Sequence, residues 1–109
     1  MENQLNQNEL EKYISKVKSG VFVRNIPLEY RNNKELALCA VSYQGWSLEF
    51  LSQFQDDFDV VLEAIKYNCL SLKFASFNLK DNDTIIKTAY SQHKNSLQYA
   101  SPRLQKFLK

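Results

Sequence analysis

The feature that most restricts the fold of this chain is one pattern written three times between Asn33 and Ser101. The copies read NKELALCAVSYQGWSLEFLS (33–52), DFDVVLEAIKYNCLSLKFAS (57–76) and NDTIIKTAYSQHKNSLQYAS (82–101), each 20 residues long and recurring at intervals of 24 and then 25 residues. In the first half of each copy, apolar or small residues sit at Leu36, Ala37, Ala40 and Val41; at Val60, Val61, Ala64 and Ile65; and at Ile85, Ile86, Ala89 and Tyr90. Offsets of 0, 1, 4 and 5 share one face of a helix of 3.6 residues per turn and match no strand alternation. Asn33, Asp57 and Asn82 precede these faces, and their side-chain oxygens can accept from the unpaired N–H groups of a first helical turn. Glu35, Asp59 and Asp83 follow, with the sign that suits the positive end of a helix dipole.

The pattern predicts that each long helix stops near Gln44, Asn68 and His93, with Gly45, Asn68 and Asn95 supplying backbone that tolerates positive φ. A second, shorter helix follows. Its buried face starts at Leu48, Leu72 and Leu97, takes bulk from Phe50, Phe74 and Tyr99, and ends at Leu51, Ala75 and Ala100. Ser101-Pro102 reads as an N-cap followed by proline at the first helical position. By analogy Ser52 and Ser76 cap single turns ending near Phe54 and Leu79. Isolated helices under about 12–15 residues are marginal in water, so neighbouring units must supply each other's core. The expected fold class is therefore all-α, a small α-solenoid of about three and a half helix–turn–helix repeats with a 24–25-residue period.

A rival period exists. Lys66, Lys73, Lys80, Lys87 and Lys94 stand seven apart, as in a continuous coiled coil, but the apolar residues do not keep that register. The lysine spacing is read as coincidence.

Residues 1 to 8 are rich in Asn and Gln and are expected to fray. Residues 8–30 read as a degenerate first repeat acting as a cap: Leu10, Tyr13, Ile14 and Val17 make a weak helical face, and Gly20, Val23 and Pro27 lie 25 before Gly45, Leu48 and Ser52. Repeats 33–56, 57–81 and 82–101 follow, and residues 102–109 close the chain with a short sealing helix through Leu104, Phe107 and Leu108. A chain of 109 residues suits one such domain. It carries no apolar run near the roughly 18–20 residues of a membrane span and no signal-peptide hydrophobic region, so the cytosol is the expected compartment and no membrane partner is expected. Cys39 falls in the first long helix and Cys69 at the second turn; both are expected to be reduced thiols.

The segments Asp59–Ile65 (DVVLEAI), Leu72–Leu79 (LKFASFNL) and Leu97–Leu104 (LQYASPRL) carry a resemblance. The unit resembles an uncharacterised family of short bacterial and amoebal helical repeats, a domain of unknown function whose typical unit contains A-L-x-Y-A-S-x-x-L. The likeness covers residues 33 to 104, with Leu51 departing from the alanine that precedes the serine. It implies an all-α fold and, by analogy with other solenoids, a role in binding. It supplies no catalytic residue to transfer.

Charge is sorted along the chain. Residues 35–65 hold six acids and no Lys or Arg, whereas residues 66–109 hold eight bases and two acids. A solenoid turns sequence order into spatial order, so the middle is expected to be electronegative and the C-terminal end electropositive. The candidate partner-binding residues are the bases Lys66, Lys73, Lys87, Lys94, Arg103 and Lys106, and the turn aromatics Tyr43, Trp46 and Tyr67, since Tyr and Trp anchor interfaces well. Phe50, Phe74 and Tyr99 read as core.

Catalytic constellations are poor. His93 is the sole histidine and aligns with Asn68, one residue before Cys69; a thiolate–imidazolium pair needs an orienting third group that the sequence does not offer. One His and two distant Cys fall short of a four-ligand metal site, and the two glycines form no phosphate loop. The expectation is a non-enzymatic protein-binding module, an adaptor or inhibitor that covers a partner's surface stoichiometrically, with no cofactor, metal or small-molecule substrate. The alternative is a binder of RNA or of a ribonucleoprotein enzyme through the basic C-terminal end.

Overall fold

The computed structural model describes residues 6–108, and all its regular structure is helical; no strand occurs among the described residues. Four longer helices carry the core: α1 (Gln7–Lys18), α3 (Lys34–Tyr43), α4 (Phe58–Tyr67) and α6 (Asp83–Gln92). Each is followed by a 3₁₀ segment: η1 (Val23–Asn25), η2 (Gly45–Phe50), η4 (Cys69–Phe74) and η5 (Lys94–Tyr99). Short helices complete each group, namely α2 (Leu28–Arg31), η3 (Ser52–Phe54), α5 (Phe77–Lys80) and α7 (Pro102–Leu108).

The starts of the long helices follow from their caps. Asn33, Asp57 and Asn82 accept from the N–H groups of Leu36, Val60 and Ile85 at 3.1, 3.0 and 3.0 Å. α1 begins at Gln7, capped by Asn6, which accepts from Asn8 and Glu9 N–H. The expected fraying of residues 1–8 therefore does not extend to residues 6–8, and residues 1–5 lie outside the described part.

The ends are made differently from the expectation. No described non-glycine residue has a positive φ, and Gly20 (φ 108°) carries the left-handed conformation. Gln44, Asn68 and His93 instead leave the helix in extended backbone, with φ of −135°, −157° and −156°. Each still donates its N–H to the last helical turn, to Ala40, Ala64 and Ala89 O, while its carbonyl accepts from Ser47, Ser71 and Ser96 N–H to open the next segment. Asn68 Oδ1 then accepts from Leu70 N–H, and His93 Nδ1 from Asn95 N–H.

The following segments are 3₁₀ rather than α-helical. The pairs Leu48/Leu51, Leu72/Ala75 and Leu97/Ala100 are spaced by three, and a 3₁₀ helix places i and i+3 on one side. Leu48, Leu51, Leu72, Ala75 and Ala100 are buried, while Leu97 packs half-buried against the core. Phe50, Phe74 and Tyr99, expected in the core, are also only half-buried: each packs one side on the core and turns the other outward.

The long helices pack α1 on α3, α3 on α4, and α4 on α6, and the 3₁₀ segments pack in the same order. Ala40, Ala64 and Ala89 are wholly buried and let the long helices approach closely. The molecule is elongated, 48 × 29 × 17 Å. Its groups are joined by repeated backbone bonds: Ser76 N–H donates to Gln55 O and Ser101 N–H to Lys80 O, at 2.7 and 2.9 Å. The same serines give their hydroxyl protons to Asp56 and Asp81 and accept from Leu79 and Leu104 N–H, which makes each both a cap and a latch. Ser52 departs from the expectation: it is exposed, and η3 starts without a side-chain cap. Interruptions at Asn68, Ala75–Ser76 and Asp81–Asn82 break the run of seven-spaced lysines into separate helices, so no continuous rod exists there.

At the N-terminal end, the Gln44 side chain bridges to the preceding group. Its amide donates to Val21 O at 2.7 Å and Val17 O at 3.4 Å, and its Oε1 accepts from Val23 N–H at 3.2 Å. Arg31 adds bonds to Ile26 O and Phe50 O. At the other end α7 buries Leu104, while the expected sealing by Phe107 and Leu108 concerns side chains outside the described part.

Candidate binding surface

The nine residues singled out from sequence fall in separate places. Trp46 and Lys73 line a groove of about 250 Å³ on the side of the molecule formed by the 3₁₀ segments. Its other walls are Glu49, Asn68, Leu70, Ser71, Phe74 and Tyr99, drawn from η2, η4 and η5 and the residue that opens η4. Trp46 is 39% exposed and Leu70 49%. The rings of Phe22 and Phe50 make T-shaped pairs with the Trp46 indole at centroid distances of 5.4 and 6.4 Å, which extends the apolar strip towards η1. The Lys73 ammonium lies over the Phe74 ring, 5.2 Å from its centre. Sequence reasoning missed Leu70, Phe74 and Tyr99 as surface residues. Leu70 was findable, because it stands 24 after Trp46; Phe74 and Tyr99 were not, because their periodicity is that of core.

Tyr43 and Tyr67 end α3 and α4 and are 58% and 61% exposed, so they project from the surface. Lys66, Lys87, Lys94 and Lys106 are all exposed, on α4, α6, η5 and α7. Arg103 is exposed but committed. Its Nε meets Asp81 Oδ1 at 3.0 Å, its Nη2 donates to Asp81 O at 2.9 Å, and it reaches Asp83 at 3.5 Å. The Ser101 hydroxyl and then the Arg103 guanidinium hold the Asp81 carboxyl below its ordinary value, and Asp81 in turn raises Arg103. The two acids of the basic half are thus tied to Arg103. In the acidic stretch, Lys34 bridges Asp57 and Asp59 at 3.2 and 2.9 Å, and their carboxylates raise its ammonium.

His93 serves as the local cap that Asn68 is in the preceding group. Cys69 is buried and Cys39 half-buried, both as free thiols; burial pushes the Cys39 thiol up, away from the reactive thiolate. Among the described residues no group of three or more His, Cys, Asp or Glu side chains gathers as metal ligands, and no helix is long and apolar enough to cross a membrane.

Residues 57–105 match a family described as "Domain of unknown function (DUF4116)". The likeness to an uncharacterised domain therefore holds from α4 into α7. No curated protein and no solved structure matches the chain.

Proposed function

We propose that this chain is a non-enzymatic protein-binding module, a small α-solenoid whose basic C-terminal half covers an acidic surface of a partner as an adaptor or inhibitor. In this reading residues 33–56, 57–81 and 82–101 are three equivalent repeats with a 24–25-residue period, 8–30 is a degenerate cap, and the repeat character of the matched family extends N-terminally to residue 33. The recurrence of cap, ten-residue helix, extended residue and six-residue 3₁₀ segment supports the repeat assignment. One observation carries the functional reading: Arg103 engages both acids of the C-terminal half, while the exposed lysines lie on successive elements of the row. An array of like charge on a rigid scaffold steers an oppositely charged surface towards it.

The test is affinity capture from the native host with the wild-type chain and with a Lys87→Glu/Lys94→Glu/Lys106→Glu variant. Arg103 is spared because reversing it breaks the Asp81 pairing. Partners that co-elute with the wild type should fall by tenfold or more with the variant, while its circular dichroism stays helical. Unchanged recovery would remove the platform. Labelled RNA bound at about 0.1 M salt, with a steep loss on further salt, would move the partner class to nucleic acid.

A further inference from the structure

We propose that the chain forms a two-fold symmetric dimer through the groove face, with Glu49 of each copy set against Lys73 of the other. η2 and η4 are offset by 24 residues. Trp46, Glu49 and Phe50 of η2 are matched in η4 by Leu70, Lys73 and Phe74, and the two segments pack side by side. Matched residues therefore sit at the same level along their segments and differ in which segment they occupy.

Consider a two-fold axis lying in this face, parallel to η2 and η4 and midway between them. It lays η2 of one copy over η4 of the other. Trp46 then meets the partner's Leu70, and Glu49 meets the partner's Lys73, each contact occurring twice, as an isologous interface requires. The next matched positions outward are Arg24 in η1 and Gln98 in η5. The same axis opposes these two, a cation and a neutral amide, so no like charges face each other in the series Arg24, Glu49, Lys73, Gln98. Laying the rows together in the parallel sense would bring Glu49 to Glu49 and Lys73 to Lys73.

The apolar content fits the same operation. Phe22, Trp46 and Leu70 are 44%, 39% and 49% exposed, and they make one strip with half-buried Phe50, Phe74 and Tyr99. Such a strip, bordered by one acid and one base at equivalent positions, is complementary to itself: apolar core to apolar core, and each rim charge to its opposite. A dimer built this way sends the two C-terminal ends in opposite directions and leaves Lys66, Lys87 and Lys106 outside the groove. It does not rest on the function proposed above: Lys73 belongs to both surfaces, but self-association is read without any partner, and partner capture is read with the Lys87, Lys94 and Lys106 reversal.

Sedimentation equilibrium or light scattering after gel filtration tests it on the full chain. The wild type should pass from 12.8 kDa to twice that mass as concentration rises through the micromolar range. Trp46 is the sole tryptophan, so its emission should shift to the blue along the same curve. Glu49→Lys and Lys73→Glu should each weaken association tenfold or more, and the double exchange Glu49→Lys/Lys73→Glu should return it to within about threefold, since the pair is restored with its signs swapped. Lys18→Glu alters net charge as Lys73→Glu does, outside the groove, and should change nothing. Glu49 and Lys73 are exposed, so none of these variants threatens the fold. A monomer still at about 1 mM, a dimer indifferent to either single reversal, or a double exchange that fails to restore association overturns the proposal.

Discussion

Gln44 ends its helix through its backbone N–H and sends its side chain across to the preceding group, whereas Asn68 and His93 at the matched positions cap their own chain. Its amide is one methylene too long for the local bond and long enough to bind Val17 O, Val21 O and Val23 N–H. Val17 O also accepts from Gly20 N–H, so Gln44→Ala takes the side-chain partner chiefly from Val21 O and Val23 N–H and should cost about 1–3 kcal/mol in urea unfolding. Gln44→Asn should recover little of that loss, because a shorter amide caps locally and no longer bridges. Asp81 offers a second test. Its folded value lies below the ordinary 3.8, so its contribution is complete above that pH and is lost as pH falls through the lowered value. The urea midpoint should therefore drop on acidification below about pH 4, and Asp81→Asn should flatten that limb. At this scale the sequence showed caps well. Asn33, Asp57 and Asn82 announce themselves by type and place. The Ser76–Asp56 and Ser101–Asp81 bonds recur 25 residues apart, but the serines read as local caps and nothing in the spacing marked the acids as their partners, while the Gln44 bond to Val21 has no counterpart at Asn68 or His93.

At the scale of elements, the long helices were readable because their apolar spacing and their caps agree. The observed Lys34–Tyr43, Phe58–Tyr67 and Asp83–Gln92 stop one residue before Gln44, Asn68 and His93. The segments after them were readable as helical in period but not in type. A spacing of three suits a 3₁₀ helix, and six residues are too few to separate it from an α-helix by pattern. That difference turns Phe74 and Tyr99 partly outward, which is why residues assigned to the core emerged as walls of a groove. Leu72 tests the packing of these segments. It is wholly buried in η4, which lies against η2, η5, α4 and α6. Leu72→Ala should lower unfolding free energy by about 2–5 kcal/mol, as other buried leucine truncations do. A cost under about 1 kcal/mol would mean that η4 contributes little to the core.

Across the whole molecule, the charge sorting visible in sequence takes a different form in three dimensions. Lys34 neutralises part of the acidic stretch through Asp57 and Asp59, and Arg103 withdraws from the basic surface to hold Asp81 and Asp83. Sequence supplied the residues and the sign of each half. It could not show which charges spend themselves inside the row, because the partners lie 20 to 25 residues apart and meet only when groups stack. The proposed row requires that each group lean on its immediate neighbours alone, as the packing of α1 on α3, α3 on α4 and α4 on α6 suggests. Methyl–methyl NOEs from isoleucine, leucine and valine test it most directly on the full chain. Cross-peaks should link Leu10, Ile14 and Val17 of α1 to α3, Leu36 and Val41 of α3 to α4, and Val60, Val61 and Ile65 of α4 to Ile85 and Ile86 of α6. Cross-peaks joining α1 directly to α6, or amide connectivities of one unbroken helix through Asn68 to Asn82, would contradict it.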